Sequence, residues 1–158
     1  MPLSAISLAR LAPVHPKLAS AIKQIDASAP DLDIQVSQGI RTWAQQEIDY
    51  EQGRTTPGKI ITNARGGFSW HQYGLAVDLL PEDITPGQPD WDVNHPAWSR
   101  MVSLAESFGL VSGSEWHGLK DWPHVQLTGR FPVTPDDEVR AIYEQNHSIE
   151  DVWAASGI

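Results

Sequence analysis

In the stretch SWHQYGLAVD, Ser69 to Asp78, a histidine stands seven residues ahead of an aspartate, and the aspartate is set inside the apolar run LAVDLL. An ionised carboxylate taken out of water without a partner is so costly that it normally neutralises, so Asp78 requires a counter-charge or a metal ion. His71 is the first candidate to share it. Downstream, PHVQL places His124 in a second apolar run, with Asp121 three residues before it. Two imidazoles and a carboxylate with a fourth position left open form a donor set suited to a catalytic zinc ion. Singly, each residue has an ordinary reading as well: a hydrogen-bonded histidine, a turn aspartate or a helix cap.

The elements that must position these groups follow from periodicity. In the strand pattern Leu75 to Leu80, Leu75, Val77 and Leu79 point one way, and Ala76, Asp78 and Leu80 the other. The second strand, about 123 to 128, turns Val125 and Leu127 inward and leaves His124 and Gln126 on the opposite face. If the two strands are neighbours, Asp78 and His124 reach one ion, and His71 joins them from the loop before Gly74. A regular strand would set Asp121 and His124 on opposite faces, but Pro123 between them disfavours regular pairing, and a bend there brings the carboxylate back.

Around that centre, residues 15 to 28 carry Leu18, Ile22 and Ile25 at helical spacing, with Pro16 in a first turn. LDIQVS, 32 to 37, alternates as a half-buried strand. TWAQQEIDYEQG, 42 to 53, reads as a helix stopped by Gly53. The segment GRTTPGKIITNARGG is rich in turn residues and reads as a long surface loop of the kind that carries function. An irregular stretch with Pro81, Pro86, Pro89 and Pro96 leads into a helix near 96 to 108, and the tail reads as two short helices with acidic first turns. Strands and helices mix without βαβ alternation, so the expected class is α+β: a small antiparallel sheet flanked by helices, with a short helical C-terminal tail. One domain over 1–158 is expected, with a core of about 15–130 and a helical extension of about 131–158.

Composition narrows the function. A chain of 158 residues with 41% hydrophobic content can bury a real core. There is no cysteine, so a metal must be held by His, Asp or Glu. The net charge of -9 argues against nucleic acid and against attraction to anionic membranes. No apolar run approaches the roughly 18 residues of a membrane span, and MPLSAISLARLAPVHP lacks a basic region ahead of its apolar residues, so no signal peptide is expected. Seven tryptophans admit a sugar-stacking reading. Trp43, Trp98 and Trp153 fall on helical patterns as core residues, whereas Trp70, Trp116 and Trp122 flank the motifs and are candidates for a cleft wall.

SWHQYGLAVD resembles the S-x-H-x-x-G-x-A-x-D signature of the zinc peptidases that cut peptidoglycan stem peptides, the D-alanyl-D-alanine carboxypeptidase and L-alanyl-D-glutamate endopeptidase group. EWHGLKDWPHV resembles the second signature, in which Asp-x-x-His closes the site, and GIRTWAQQEIDYEQGRTTPGKIITNARGG is similar to the endopeptidase branch, which includes many phage endolysins. The match covers roughly residues 36 to 127. Where many relatives have Gly-Asp-Trp, this chain has Ser114, Glu115 and Trp116. The resemblance implies Zn2+ held by His71, Asp78 and His124, Asp121 as the acid/base carboxylate, Arg41 near the scissile carbonyl or a substrate carboxylate, and Ser69 lining the same cleft. Glu115 and His117 are the alternative acid/base groups.

It further implies a monomeric endolysin-like hydrolase that cuts between L-alanine and D-glutamate, made in a host cytoplasm and acting on the cell wall after release. A D-alanyl-D-alanine carboxypeptidase is the nearest alternative. A non-catalytic zinc-containing wall-binding module and a metal-free carbohydrate-binding domain are the readings from other classes; Asp121 speaks against the first, and survival of binding after chelation would mark the second.

Overall fold

The computed structural model describes residues 2–82 and 91–158; Pro86 and Pro89 lie outside them. Four antiparallel strands, β1 (Gln35–Gln38), β2 (Ala76–Leu80), β3 (Val111–Gly113) and β4 (Asp121–Gln126), form one open sheet in the order β1-β2-β4-β3. The two strands with the chemistry, β2 and β4, are therefore direct neighbours. Their inward residues Val77, Leu79 and Val125 meet Leu18, Ile22 and Ile25 of helix α2 (Pro16–Ser28) and Trp98 and Met101 of helix α4 (Pro96–Ser107), all fully buried. Each large apolar side chain so buried contributes about 1.5–3 kcal/mol, which holds the sheet flat against its helices. Helix α2 begins where the sequence says it should: the His15 Nδ1 accepts from the Lys17 N–H at 3.1 Å, and Pro16 fills the first turn.

Some details differ from the sequence reading, among them strand β3, which it did not contain. LDIQVS does not start a strand at Leu32, because Pro30–Leu32 form a 3-10 turn and Asp33 turns left-handed with φ 44, so β1 begins only at Gln35. The alternation still predicted burial correctly, for Leu32, Ile34 and Val36 are all in the core. Helix α1 (Ala5–Leu11) has no counterpart in the sequence reading, since Ile6 and Leu8 face solvent and blur the apolar stripe. It is tied to the sheet by polar contacts instead: the Ser7 hydroxyl accepts from the Val36 N–H at 3.0 Å, and Arg10 Nη1 donates to the Val36 carbonyl at 2.8 Å.

Helix α3 (Trp43–Glu51) and the tail helices α5 (Asp137–Asn146) and α6 (Ile149–Ser156) build a second core. There Phe131, Val139 and Val152 pack on Trp70, Tyr73, Leu75 and Ala76, and Trp43 stacks on Tyr143 with centroids 5.3 Å apart. The Trp153 indole donates to the Tyr73 carbonyl at 2.7 Å. The tail is thus packed against the turn that carries His71.

Candidate metal centre

His71 sits in a single 3-10 turn, Trp70–Tyr73, whose geometry is closed at both ends. At the start, the Ser69 hydroxyl accepts from the His71 N–H at 3.3 Å and the Ser69 N–H donates to Gln72 Oε1 at 3.0 Å. At the end, Gly74 takes φ 67, a left-handed conformation that glycine adopts without strain. From this turn the imidazole reaches the sheet, where Asp78 of β2 and His124 of β4 are paired directly across the strands. One donor atom from each of His71, Asp78 and His124 lies within 4.8 Å of the other two.

The hydrogen bonds around the rings show what these atoms are for. The His71 Nδ1 faces the Gly39 carbonyl at 2.9 Å, which can only accept, so Nδ1 carries the proton. The His71 Nε2 lies 3.1 Å from Asp78 Oδ1, where it donates when the ring is charged and becomes a free lone pair when a metal ion takes the place of that proton. The His124 Nε2 faces Gln126 Oε1 at 2.8 Å, and the Gln126 amide nitrogen is itself committed to the Val133 carbonyl at 2.9 Å. His124 therefore donates through Nε2 and turns a second lone pair, on Nδ1, toward Asp78 Oδ1 at 3.7 Å. Two ring nitrogens thus converge on one carboxylate oxygen, an arrangement held together by a shared cation, either a proton or a metal ion. This donor set, with each ring locked in one tautomer by its outer partner, fits a divalent ion of the zinc type.

Charge states agree with that fit. Burial alone would raise the Asp78 carboxyl, but His71, His124 and Arg41 around it outweigh burial and hold it below the ordinary carboxylate range. Burial, aided by the neighbouring His71, pushes His124 down to about 4, so its ring is neutral. Neutral imidazole and ionised carboxylate are the forms that ligate.

Asp121 stands beside this cluster. Its Oδ2 lies 4.0 Å from His124 Nδ1, although the two residues are three apart in one strand. A bulge makes this possible: between Ser112 and Gly113 of β3, the partner on β4 jumps from Val125 to Asp121, so Trp122, Pro123 and His124 have no partner on β3 and the carboxylate returns to the face of His124. The Asp121 carboxyl is raised to about 6, first by its poorly solvated surroundings and then by the charge of Asp78. It lines the cleft above the cluster together with Arg41, Ser69, Trp70 and Trp116. Glu115 is exposed and lines no part of this cleft, while His117 lines its apolar extension beside Ile61, Phe68 and Leu119. Trp116 leans on the His124 ring with centroids 4.8 Å apart, whereas Trp122 packs on the main core and not on the cleft, a correction to its reading as a wall residue.

The other two expected substrate residues have structural partners already. Ser69 caps the His71 turn as well as lining the cleft. Arg41 donates through Nε to Gln38 Oε1 at 2.9 Å, through Nη1 to Gln46 Oε1 at 2.7 Å and through Nη2 to Asp78 Oδ2 at 3.4 Å. A guanidinium has five N–H groups, so one remains on each terminal nitrogen.

Two contributors had no readable signal in the sequence, the Gly39 carbonyl and the buried Gln46, and a third, the Gln126 side chain, was legible only in its place on the face of His124. Gly39 has a testable requirement. A Cβ there would stand 2.3 Å from the Arg10 carbonyl oxygen, a contact no side chain can make. Gly39→Ala is expected to lose about 1–3 kcal/mol in a urea melt through overpacking, and to loosen metal retention because the displaced carbonyl no longer orients His71. Unchanged stability would show that α1 and β1 separate freely at this point.

Comparison with known proteins gives a consistent result. A family model described as D-alanyl-D-alanine carboxypeptidase matches residues 62–127. Over 124 residues, 74% of this chain and 73% of the relative, the sequence is 34% identical to the peptidoglycan L-alanyl-D-glutamate endopeptidase CwlK of Bacillus subtilis (strain 168). The structure of the L-Ala D-Glu endopeptidase ChiX of Serratia marcescens matches with a TM-score of 0.58 at 27% identity, over 78% of this chain and 87% of that one. The vancomycin resistance D,D-pentapeptidase VanY, solved in complex with Zn(II), shares the fold with a TM-score of 0.55 at 19% identity, over 89% of this chain and 83% of its own.

Proposed function

The chain belongs to the D-alanyl-D-alanine carboxypeptidase family of peptidoglycan peptidases, and we propose that within it this protein is a zinc-dependent endopeptidase cutting the bond between L-alanine and D-glutamate in the stem peptide. The observation that carries the metal part is the convergence of His71 Nε2 and His124 Nδ1 on Asp78 beside the Asp121 carboxylate. The choice of bond rests on the 34% identity to an enzyme of that specificity, and the choice of zinc on the donor set and on the Zn(II)-bound fold neighbour.

When bound by His71, Asp78 and His124, the ion supplies Lewis-acid polarisation of the scissile carbonyl and of the attacking water. Asp121 takes the proton of that water and hands it to the departing amine of D-glutamate, so one carboxylate serves as base and then as acid. The N–H groups left on Arg41 offer a charge-assisted contact to the acidic D-glutamate. Ser69 holds the cleft edge next to His71. Cutting next to the glycan strand uncouples cross-links from sugar chains, which is the basis of an endolysin-like lytic role. Among the described residues no helix is long and apolar enough to cross a membrane.

Digestion of purified peptidoglycan, with mass spectrometry and labelling of new amino termini, tests the bond. D-glutamate termini are expected, with L-alanine left on the muramic acid. Release of free D-alanine alone would replace the endopeptidase with a carboxypeptidase.

A further inference from the structure

Helix α3 buries one side chain completely, and it is polar: Gln46, at 0% exposure. Its amide uses every hydrogen-bonding position it has. Gln46 Oε1 accepts from Arg41 Nη1 at 2.7 Å and from Gln72 Nε2 at 3.1 Å. Its Nε2 donates to the Ala64 carbonyl at 2.7 Å and to the Thr62 hydroxyl at 3.4 Å. Because the Ala64 carbonyl can only accept, the amide cannot be flipped, and the oxygen must face Arg41.

Two of these arms end at the metal centre. Gln72 closes the cap of the turn that carries His71. Arg41 reaches Asp78, and there the two carboxylate oxygens have different neighbours: Oδ2 takes the guanidinium at 3.4 Å, while Oδ1 faces His71 Nε2 and His124 Nδ1 at 3.1 and 3.7 Å. A guanidinium is planar and rigid. With Nε fixed by Gln38 and Nη1 fixed by Gln46, the direction of Nη2 toward Asp78 is no longer free.

Given the metal set proposed above, we infer that Gln46 is a positioning residue for the ion: by holding Arg41 against Asp78 Oδ2 it turns Oδ1 toward the two imidazoles, so that Asp78 offers one oxygen in a set orientation. Gln46 touches neither the ion nor the substrate. Its effect on the ion passes through Arg41, because the Gln72 cap is made by Gln72 Oε1 on the Ser69 N–H and closes without Gln46, so the effect must vanish when Arg41 is absent.

Zinc competition against a chromophoric chelator, on the purified full chain, measures this. Gln46→Met fills the same volume without the amide and is expected to weaken zinc affinity by about 10- to 100-fold, the usual effect of removing an outer partner of a ligand. Arg41→Met is expected to lose as much, and the double variant no more than the larger single loss, since both act through one contact. Gln46→Glu keeps an oxygen facing Arg41 and Gln72 while giving up the donors to Ala64 and Thr62, and is expected to hold zinc as tightly as the unaltered chain. Additive losses, or unaltered zinc affinity in Arg41→Met, overturn the inference. So does a Gln46→Met protein whose zinc-free melting temperature falls while its zinc-induced rise stays intact, the signature of a purely structural residue. If Gln46→Met does not fold, Arg41→Met and Gln46→Glu still decide: equal losses in both count against the inference. An unaltered chain that binds no zinc would instead remove the metal proposal, so the two failures are distinct.

Discussion

Asp121→Asn is expected to slow hydrolysis by about 10²- to 10⁴-fold, the usual contribution of a placed general acid/base, with metal content and the melting curve unchanged. The change removes a proton acceptor while keeping the size of the side chain. Nothing in the packing should move, because the side chain lines the cleft and belongs to neither apolar core. The loss belongs in kcat, with KM little altered, since proton transfer occurs in the transition state and not in binding. Loss of zinc together with activity would make Asp121 a ligand or a support for one. Full activity would move the acid/base role to His117 or Glu115, of which only His117 lines the cleft or its extension.

The second large effect is on the ion itself. One zinc per chain is expected by elemental analysis, none in His71→Ala, and activity in that variant at background. A chelator should abolish activity in the unaltered protein and added zinc should restore it. Stability gives an independent readout. An ion present at about a hundred times its dissociation constant adds about 2.7 kcal/mol to the folded state, and at a thousand times about 4.1. The zinc-free protein should therefore melt earlier than the loaded one, and His71→Ala should show no zinc-dependent rise at all. A chain that lacks zinc when purified under zinc-replete conditions, or one that hydrolyses peptidoglycan equally well in chelator, would eliminate the metallopeptidase.

How much of this was legible depended on whether a residue announces itself by type. The period of two in LAVDLL and PHVQL placed Asp78 and His124 on the outer face of their strands, and the sheet sets them opposite one another. Asp121 was harder, because strict alternation puts it on the wrong face; Pro123 was the visible hint of the bulge that the structure contains. The partners that set each imidazole could not be read. One is a backbone carbonyl, that of Gly39, and a carbonyl belongs to every residue alike. Another, Gln126, is a neutral amide whose importance lies only in standing two residues beyond His124 on the same face. Gln46 looked like one more polar residue on an amphipathic helix, and only the loop at Thr62 to Ala64 folding over it reveals that it is buried. Helix α1 and strand β3 were invisible for a simpler reason, the one too exposed on its apolar residues and the other too short for any period to register.

The strand order β1-β2-β4-β3 carries a kinetic consequence. Strands β2 and β4 are neighbours in the sheet, yet helix α4 and strand β3 lie between them in the chain. Pairing such distant segments must pay its loop-closure entropy before its contacts repay it, so it belongs to the slow part of folding. Asp78 and His124 face each other only after that step. An ion that needs all three residues has nothing to grip in the early, partly paired chain. Its binding energy therefore falls on the native side of the folding barrier, where it lengthens the life of the folded molecule by slowing its unfolding without hastening its formation.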